Sequence, residues 1–414
     1  MQPFRESLKQ FLSSTRKRLQ QSASGASPSL VGDADRLHAQ LLRSQVTNLQ
    51  LRAQLSAVGR ELAAARATIG RLQDQTTVQK SAAQARYLNR EELILLPRVM
   101  NLLPPDGRLT VVDAGAREVD ADLRWRPFPP ARLRFYGFEA DADEAARLNE
   151  VSSTDGAERH FYPAGLWGST GKIPFEHNKA GGGSSFLPQN RAVTDRWKFE
   201  NPTQVSIASE MFFPVRTEDV AVVSLADWAT RERVTSVDFL KINVQGGELE
   251  ILQGAGPLLD RVLGVFLEVA FVESYRDRPM FSDIDAFLRK QGFTFFDLLA
   301  HHYVGRSASP VAAQHLPIVE PKLGQLVTAW GQLIEGHALY FRDPLDTATS
   351  SMTTDALIKL AALAEAWGQI EFAFEILDAL LRHPDVAGTP RVGEIRALID
   401  EGAAAYAKHL TQIV

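Results

Sequence analysis

The 414-residue chain has no cysteine. That excludes disulfides, a thiolate nucleophile and any zinc site built on cysteine. It lacks an apolar run near the ~20 residues needed to span a bilayer. Its first twenty residues also lack the continuous apolar core of a secretory signal. Nor is one charge in surplus, since the formal net charge is −5. No overall electrostatic footprint for nucleic acid results, and none is expected as a partner. A hydrophobic share of 45% with 23% charged residues is that of an ordinary soluble globular protein. The length leaves room for two or three domains. The expectation is a cytoplasmic protein.

Absences also mark out the N-terminal part. From Asp33 to Gln84 there is no proline, phenylalanine, tyrosine or tryptophan. Leucine, alanine, glutamine and arginine dominate instead. Leu41, Asn48, Leu55, Leu62 and Ile69 fall at heptad position a, and Leu37, Ser44, Leu51, Val58, Ala65 and Leu72 at d. Five heptads of such a seam predict a coiled coil over 33–86, with self-association through 37–72. Asn48 at a favours a parallel dimer, at a cost in stability. Gly59, Gly70 and Ser44 weaken the seam. The alternative is one long helix folded back on its own globular domain. Ahead of it, residues 1–32 form a leader and a Ser/Gly/Pro linker. Phe4, Leu8, Phe11, Leu12 and Leu19 recur at helical spacing beside Lys9, Arg16, Lys17 and Arg18. A basic amphipathic helix of this kind can lie on the inner face of a membrane through residues 1–20. It can equally be a solvated leader that packs on a neighbour.

The globular part begins near Asn89 and extends to 345. A helix over Leu93–Leu103 stops at Pro104-Pro105. Apolar runs then alternate with helical patterns, which predicts an α/β fold with a doubly wound sheet. Strands are expected at Leu109–Asp113, Leu133–Glu139, Arg159–Ala164, Val237–Asn243, Val265–Val269, Thr294–Leu298 and Ala338–Arg342. The last two read as an antiparallel hairpin at one edge. Gly165–Glu218 reads as an irregular excursion. After Asp343-Pro344 the pattern turns helical through 346–414. Its two-helix hairpin plus a third helix is too small to bury a core alone. It should dock on the α/β domain or on a partner chain.

Polar residues concentrate where the fourth main strand ends, at Lys241, Asn243 and Gln245. In an open parallel sheet, ligands bind beyond the carboxyl ends of the strands. The first strand ends VVDAGA, which places Asp113, Gly115 and Ala116 at the first strand-to-helix crossing. The second ends on Glu139, 26 positions after Asp113. Acid at that point accepts hydrogen bonds from the ribose of a nucleoside cofactor. The turn then runs Arg117-Glu118-Val119-Asp120 without further glycine. A pyrophosphate would be repelled there. S-adenosylmethionine, a sulfonium without phosphate, suits such a loop better than NAD.

The segments VVDAGA, FEADADEAARLN (138–149), GGGSSF (181–186), VSLADW (223–228), DFLKINVQGGELEILQGA (238–255), FLEV (266–269) and GHALYFRDP (336–344) occur in an order that resembles the FkbM-type methyltransferases. The resemblance covers about Asn89 to Pro344. It implies a class I methyltransferase-like, Rossmann-like sheet, S-adenosylmethionine as cofactor, and O-methylation of a hydroxyl on a glycan, sugar precursor or related metabolite. Asp113, Gly115, Ala116 and Glu139 would then hold the cofactor. Asn243, Glu268, Glu248 and Lys241 would line the reacting centre.

Two departures qualify that expectation. The family's second glycine in the first loop is replaced by Arg117-Glu118, and its Asp-Val-Glu-Gly by Asn243-Val244-Gln245-Gly246. An amide orients a ligand but cannot accept a proton as a general base. Either a base lies elsewhere or transfer is weakened, and the domain then serves as a scaffold in assembly. Glu268, inside an apolar strand, is one candidate base, because burial raises a carboxyl pKa. Glu248 is another, although its place in a first helical turn also suits a structural role. Lys241 either orients the substrate or pairs with Glu268. Gly181–Ser185 reads as a lid over the site. No metal motif is present: His301 and His302 are adjacent, and His160 and His177 are isolated.

Overall fold

The computed structural model describes residues 93–117, 123–151, 156–179, 181–201, 204–207, 213–308, 315–316, 327–328, 331–344 and 352–411. The predicted leader and coiled coil lie outside the described residues. Fourteen strands are described: β1 (Leu109–Ala114), β2 (Leu133–Phe138), β3 (Glu158–Tyr162), β4 (Gly165–Leu166), β5 (Gly171–Asn178), β6 (Trp197–Asn201), β7 (Gln204–Ile207), β8 (Pro214–Val223), β9 (Phe239–Ile242), β10 (Gly264–Ala270), β11 (Thr294–Arg306), β12 (His315–Leu316), β13 (Val327–Thr328) and β14 (Gln332–Phe341). The helices are α1 (Leu96–Val99), α2 (Ala142–Val151), α3 (Arg191–Thr194), α4 (Leu225–Glu232), α5 (Glu248–Gly254), α6 (Phe281–Lys290), α7 (Thr354–Ala366), α8 (Ile370–Arg382) and α9 (Arg391–Thr411).

Nine strands form one mixed sheet in the order β3-β2-β1-β9-β10-β14-β11-β6-β7. The pairs among β3, β2, β1, β9 and β10 are parallel. The pairs from β10 through β14 and β11 to β6 and β7 are antiparallel. Alternation along each strand splits the apolar side chains between two faces. Val112, Ala114, Leu240, Ile242, Val265 and Leu267 pack with Trp228, Leu252 and Ile284 from α4, α5 and α6. Val111, Phe135, Phe239, Phe266 and Phe341 pack with Leu96, Met100, Leu148 and the C-terminal helices. Strands buried on both sides are why β9 and β10 read as nearly continuous apolar runs.

Three expectations are corrected here. The excursion from 165 is not irregular: β4, β8 and β5 form a second, three-stranded sheet, and β6 and β7 extend the main one. Exposed polar residues on β5 and β8 had masked the period. β11 and β14 are antiparallel neighbours, but they are not an edge hairpin. β14 inserts between β10 and β11, so its both-sided burial reflects a central position. The helix predicted over 93–103 is one α-turn run, α1, followed by a 3-10 turn at Met100–Leu102.

The C-terminal helices dock on the sheet. Trp367 stacks on Phe239 at 5.2 Å and lies 4.3 Å from the Phe266 ring. Lys359 Nζ bonds Asp238 at 2.9 Å. Glu365, with no solvent exposure, accepts from the backbone N–H groups of Ile94 and Leu95 at 2.8 Å each, and also from Leu96 and the Tyr406 hydroxyl. These are orphan donors at the start of α1, so a carboxylate from α7 caps a helix in another part of the chain.

Candidate active site

At the carboxyl end of β1 the chain turns through Gly115, whose φ is +79°. A Cβ there would lie 1.9 Å from the carbonyl oxygen of Asn243. The glycine is therefore demanded by the neighbouring turn after β9, which approaches it directly. Gly115 N donates to Phe138 O and Asn243 N to Ala114 O, which ties the ends of β1, β2 and β9 together. Asp113 is fully buried beneath this turn. Lys241 Nζ lies 2.7 Å from its Oδ1 and donates to Gly115 O at 3.2 Å. Ala116 is buried in the core beside β2 and does not line the crevice.

The crevice encloses about 110 Å³. Gly115, Arg117, Glu139, Lys241, Asn243 and Gln245 line it, with Phe138, Leu166, Phe175 and Phe186 as apolar walls. Glu139 is buried at the end of β2, and its Oε1 accepts from Asp141 N at 3.0 Å. Among the described residues its second oxygen has no hydrogen bond. Burial raises the Glu139 carboxyl, against the pull of the Asp141 N–H and of Arg117. Arg117 Nη2 lies 3.7 Å from Glu139 and 2.8 Å from Asp141.

Beyond β9 the backbone carries a left-handed residue that is not glycine, Gln245, with φ +59°. Such a conformation persists only where its surroundings fix it. Gln245 Nε2 donates to both oxygens of Glu268, at 2.9 and 3.1 Å, and its Oε1 lies 3.3 Å from the Tyr275 hydroxyl. Its carbonyl accepts from Ser185 Oγ at 2.7 Å. A carboxylate in its place would have no donor to offer Glu268.

Of the two alternatives for Lys241, the pairing with Glu268 does not occur. Lys241 belongs to Asp113, and Glu268 bonds the guanidinium of Arg278. Arg278 is buried and also reaches Glu335 at 3.1 Å, which in turn bonds His302 Nδ1 at 2.8 Å. Burial and the Glu335 charge push the Glu268 carboxyl up to about 8, against Arg278. Burial also raises Glu335, but His302 and Arg278 overcome it and hold the group down at about 2. Glu268 does not line the crevice, since the Gln245 amide stands before it. Glu248 is likewise engaged. Its carboxylate accepts from Gly246 N at 3.0 and 3.1 Å and from Val244 N at 3.4 Å, and so pins the turn that precedes its own helix.

The Gly181–Phe186 segment forms a wall of the crevice. Tyr275 donates to Gly183 O at 2.7 Å, Asn178 donates to the same carbonyl, and Ser185 bonds Gln245. Among the described residues no cluster of three or more histidine, aspartate or glutamate side chains is arranged to hold a metal. His160 stacks on Tyr136 and His177 bonds Glu218.

Residues 114–295 match the family model of the methyltransferase FkbM domain. That segment is similar to an FkbM-type methyltransferase domain. The match takes in the crevice and β9–β10 but ends before β14 and the C-terminal helices that complete the core. Among solved structures, a methyltransferase FkbM from Methylobacillus flagellatus KT is 13% identical with a TM-score of 0.31. That alignment covers 59% of this chain and 48% of the other, so this chain spans about half the length of that relative. A precorrin-6y C5,15-methyltransferase from Geobacter metallireducens GS-15 is 10% identical with a TM-score of 0.27, covering 59% of this chain and 86% of the other. No curated protein matches this chain.

Within residues 114–295, sequence reasoning missed Arg278, Tyr275 and Ser185 as supports of the site, and Arg117 as part of its wall. Arg278 lies in an unremarkable polar stretch, and only the fold brings it under Glu268. Arg117 was visible as a departure from the family loop, but its partner across the turn was not.

Proposed function

We propose that the crevice binds S-adenosylmethionine and that the protein transfers a methyl group to an oxygen of a hydroxyl on a glycan, sugar precursor or related metabolite. The supporting observation is Glu139: a buried carboxylate at the end of β2, with one oxygen unbonded among the described residues, facing the crevice beside the Gly115 turn. That is the donor-seeking group a ribose requires. The aromatic walls suit an adenine, and Gly115 allows close approach. When bound, the cofactor supplies an electrophilic methyl carbon on a sulfonium. The chain's own contribution is alignment, worth up to ~7–11 kcal/mol where near-attack geometry is reached. Asn243, whose amide lines the crevice, can orient an acceptor hydroxyl. Glu139→Ala should weaken cofactor binding by ~1.5–3 kcal/mol in isothermal titration. Unchanged affinity in that variant would show that the ribose lies elsewhere.

A second reading is favoured by the crevice volume. About 110 Å³ is below the ~300–1,000 Å³ usual for small-molecule sites. On this reading the domain is a catalytically weakened scaffold. Absence of both heat and thermal stabilisation at millimolar S-adenosylmethionine would select it.

The proposal extends to assembly and place. The chain self-associates through residues 37–72 as a parallel dimer, which sedimentation of the full chain tests against a 37–72 deletion. It works in the cytoplasm, with residues 1–20 as a contact to the inner membrane face. Liposome binding that survives removal of residues 1–20 would sink that last element. Among the described residues no helix is long and apolar enough to cross a membrane.

A further inference from the structure

Arg117 stands at the mouth of the crevice, where a cofactor's sugar would have to reach Glu139. Its Nη2 donates to Asp141 Oδ2 at 2.8 Å and lies 3.7 Å from Glu139 Oε1. The two carboxylates differ in setting. The Glu139 side chain is 8% exposed at the end of a strand, whereas that of Asp141 is 28% exposed just before α2. Asp141 is thus an outer anchor, and Glu139 an inner one. On the opposite wall, a Cβ at Gly181 would lie 3.4 Å from Arg117 Nη1. Glycine there leaves the guanidinium room to sit between the two walls.

Two consequences follow from that position. The guanidinium neutralises the one carboxylate that lines the crevice among the described residues, and it occupies space beside it. At 3.7 Å the contact to Glu139 is longer than a hydrogen bond, against 2.8 Å to Asp141, so a ligand with better bonds to Glu139 can displace it. The stronger hydrogen bond to Asp141 can persist while the side chain swings outward.

We propose that Arg117 is the residue that sets this crevice's affinity for its cofactor. It competes with the ribose for Glu139 and turns about its Asp141 anchor to admit it. This rests on the reading of the crevice as an S-adenosylmethionine site. It adds that this chain holds the cofactor more loosely than its own carboxylate would allow.

The experiment is isothermal titration of the full chain with S-adenosylmethionine and, separately, with S-adenosylhomocysteine. Wild type is compared with Arg117→Ala, Arg117→Gln and Arg98→Ala. Arg98 does not line the crevice, is paired with Glu401 on the surface, and its removal makes the same change in net charge. Both Arg117 variants should bind both ligands about fivefold tighter, the size of a weak, solvent-screened ion pair. Arg98→Ala should bind as wild type does. Thermal melts of each variant confirm that it is folded, and either Arg117 variant suffices. Equal or weaker binding by a folded Arg117 variant overturns the inference and leaves the cofactor reading in place. An equal gain in Arg98→Ala also overturns it, because the effect would then be one of net charge. No binding by wild type or by either Arg117 variant overturns the cofactor reading and this inference together.

Discussion

Lys241 Nζ sits 2.7 Å from Asp113 Oδ1, and the parallel register of β9 on β1 sets the two residues side by side. Both are buried, and Lys241 also holds the Gly115 carbonyl. The pair therefore forms the floor under the turn that faces the crevice. Removing one partner of a buried ion pair leaves an uncompensated charge, which costs ~3–5 kcal/mol. Lys241→Met should lose about that much stability in urea unfolding. Asp113→Asn combined with it should recover most of the loss. A single-variant loss below about 1 kcal/mol would show that solvent already reaches Asp113.

Gln245 and Glu268 form the second such couple. Gln245→Glu, which restores the acid of the resembled family, places a second carboxylate against Glu268. Like charges at that range raise one pKa strongly. The variant should be destabilised at neutral pH by at least ~2 kcal/mol and should gain relative to wild type as pH falls. A variant as stable as wild type at pH 7 would mean that the Glu268 carboxyl, raised to about 8, already holds a proton there, or that Arg278 neutralises both acids.

The cap on α1 makes the C-terminal helices part of the domain's stability. Glu365→Ala strips the start of that helix of its acceptor and leaves buried N–H groups unpaired. A loss of about 3 kcal/mol is expected in chemical unfolding. Glu365→Gln keeps an acceptor and should lose less. Equal losses would assign the effect to packing.

His337 supplies a pH dependence. Burial, with His302 and Arg124 nearby, holds its imidazole down at about 3. The folded protein keeps it neutral, while the unfolded chain binds a proton below ~6.5. The unfolded state then holds more protons, so this contribution is whole above pH 6.5 and is lost as pH falls toward 3. His337→Phe, against the stacked Phe266 ring, should flatten the melting-temperature profile between pH 6.5 and 4. A profile parallel to wild type would count against it.

The strands of the central sheet were legible because burial on both faces leaves long apolar runs, as at Phe239–Ile242 and Gly264–Ala270. The crossing at Gly115 and the acid at Glu139 were legible because their positions follow from chain direction. The small sheet of β4, β8 and β5 was not. Pro214–Val223 alternates only near its end, where it becomes buried, and its first half is exposed. The partner of Glu268 was not legible for a related reason. Lys241 and Glu268 lie on adjacent strands, but the register puts Lys241 opposite Phe266.

Local sequence determined where this chain forms strands and helices and which end of the sheet carries polar groups, because periodicity and turn chemistry act over a few residues. Tertiary structure decided which charges meet. Asp113 with Lys241, Glu268 with Arg278, and Glu139 with Arg117 and Asp141 depend on register and on turns brought together from distant segments. In a buried site the identity of the partner, more than the presence of an ionisable group, fixes its charge and what it can bind.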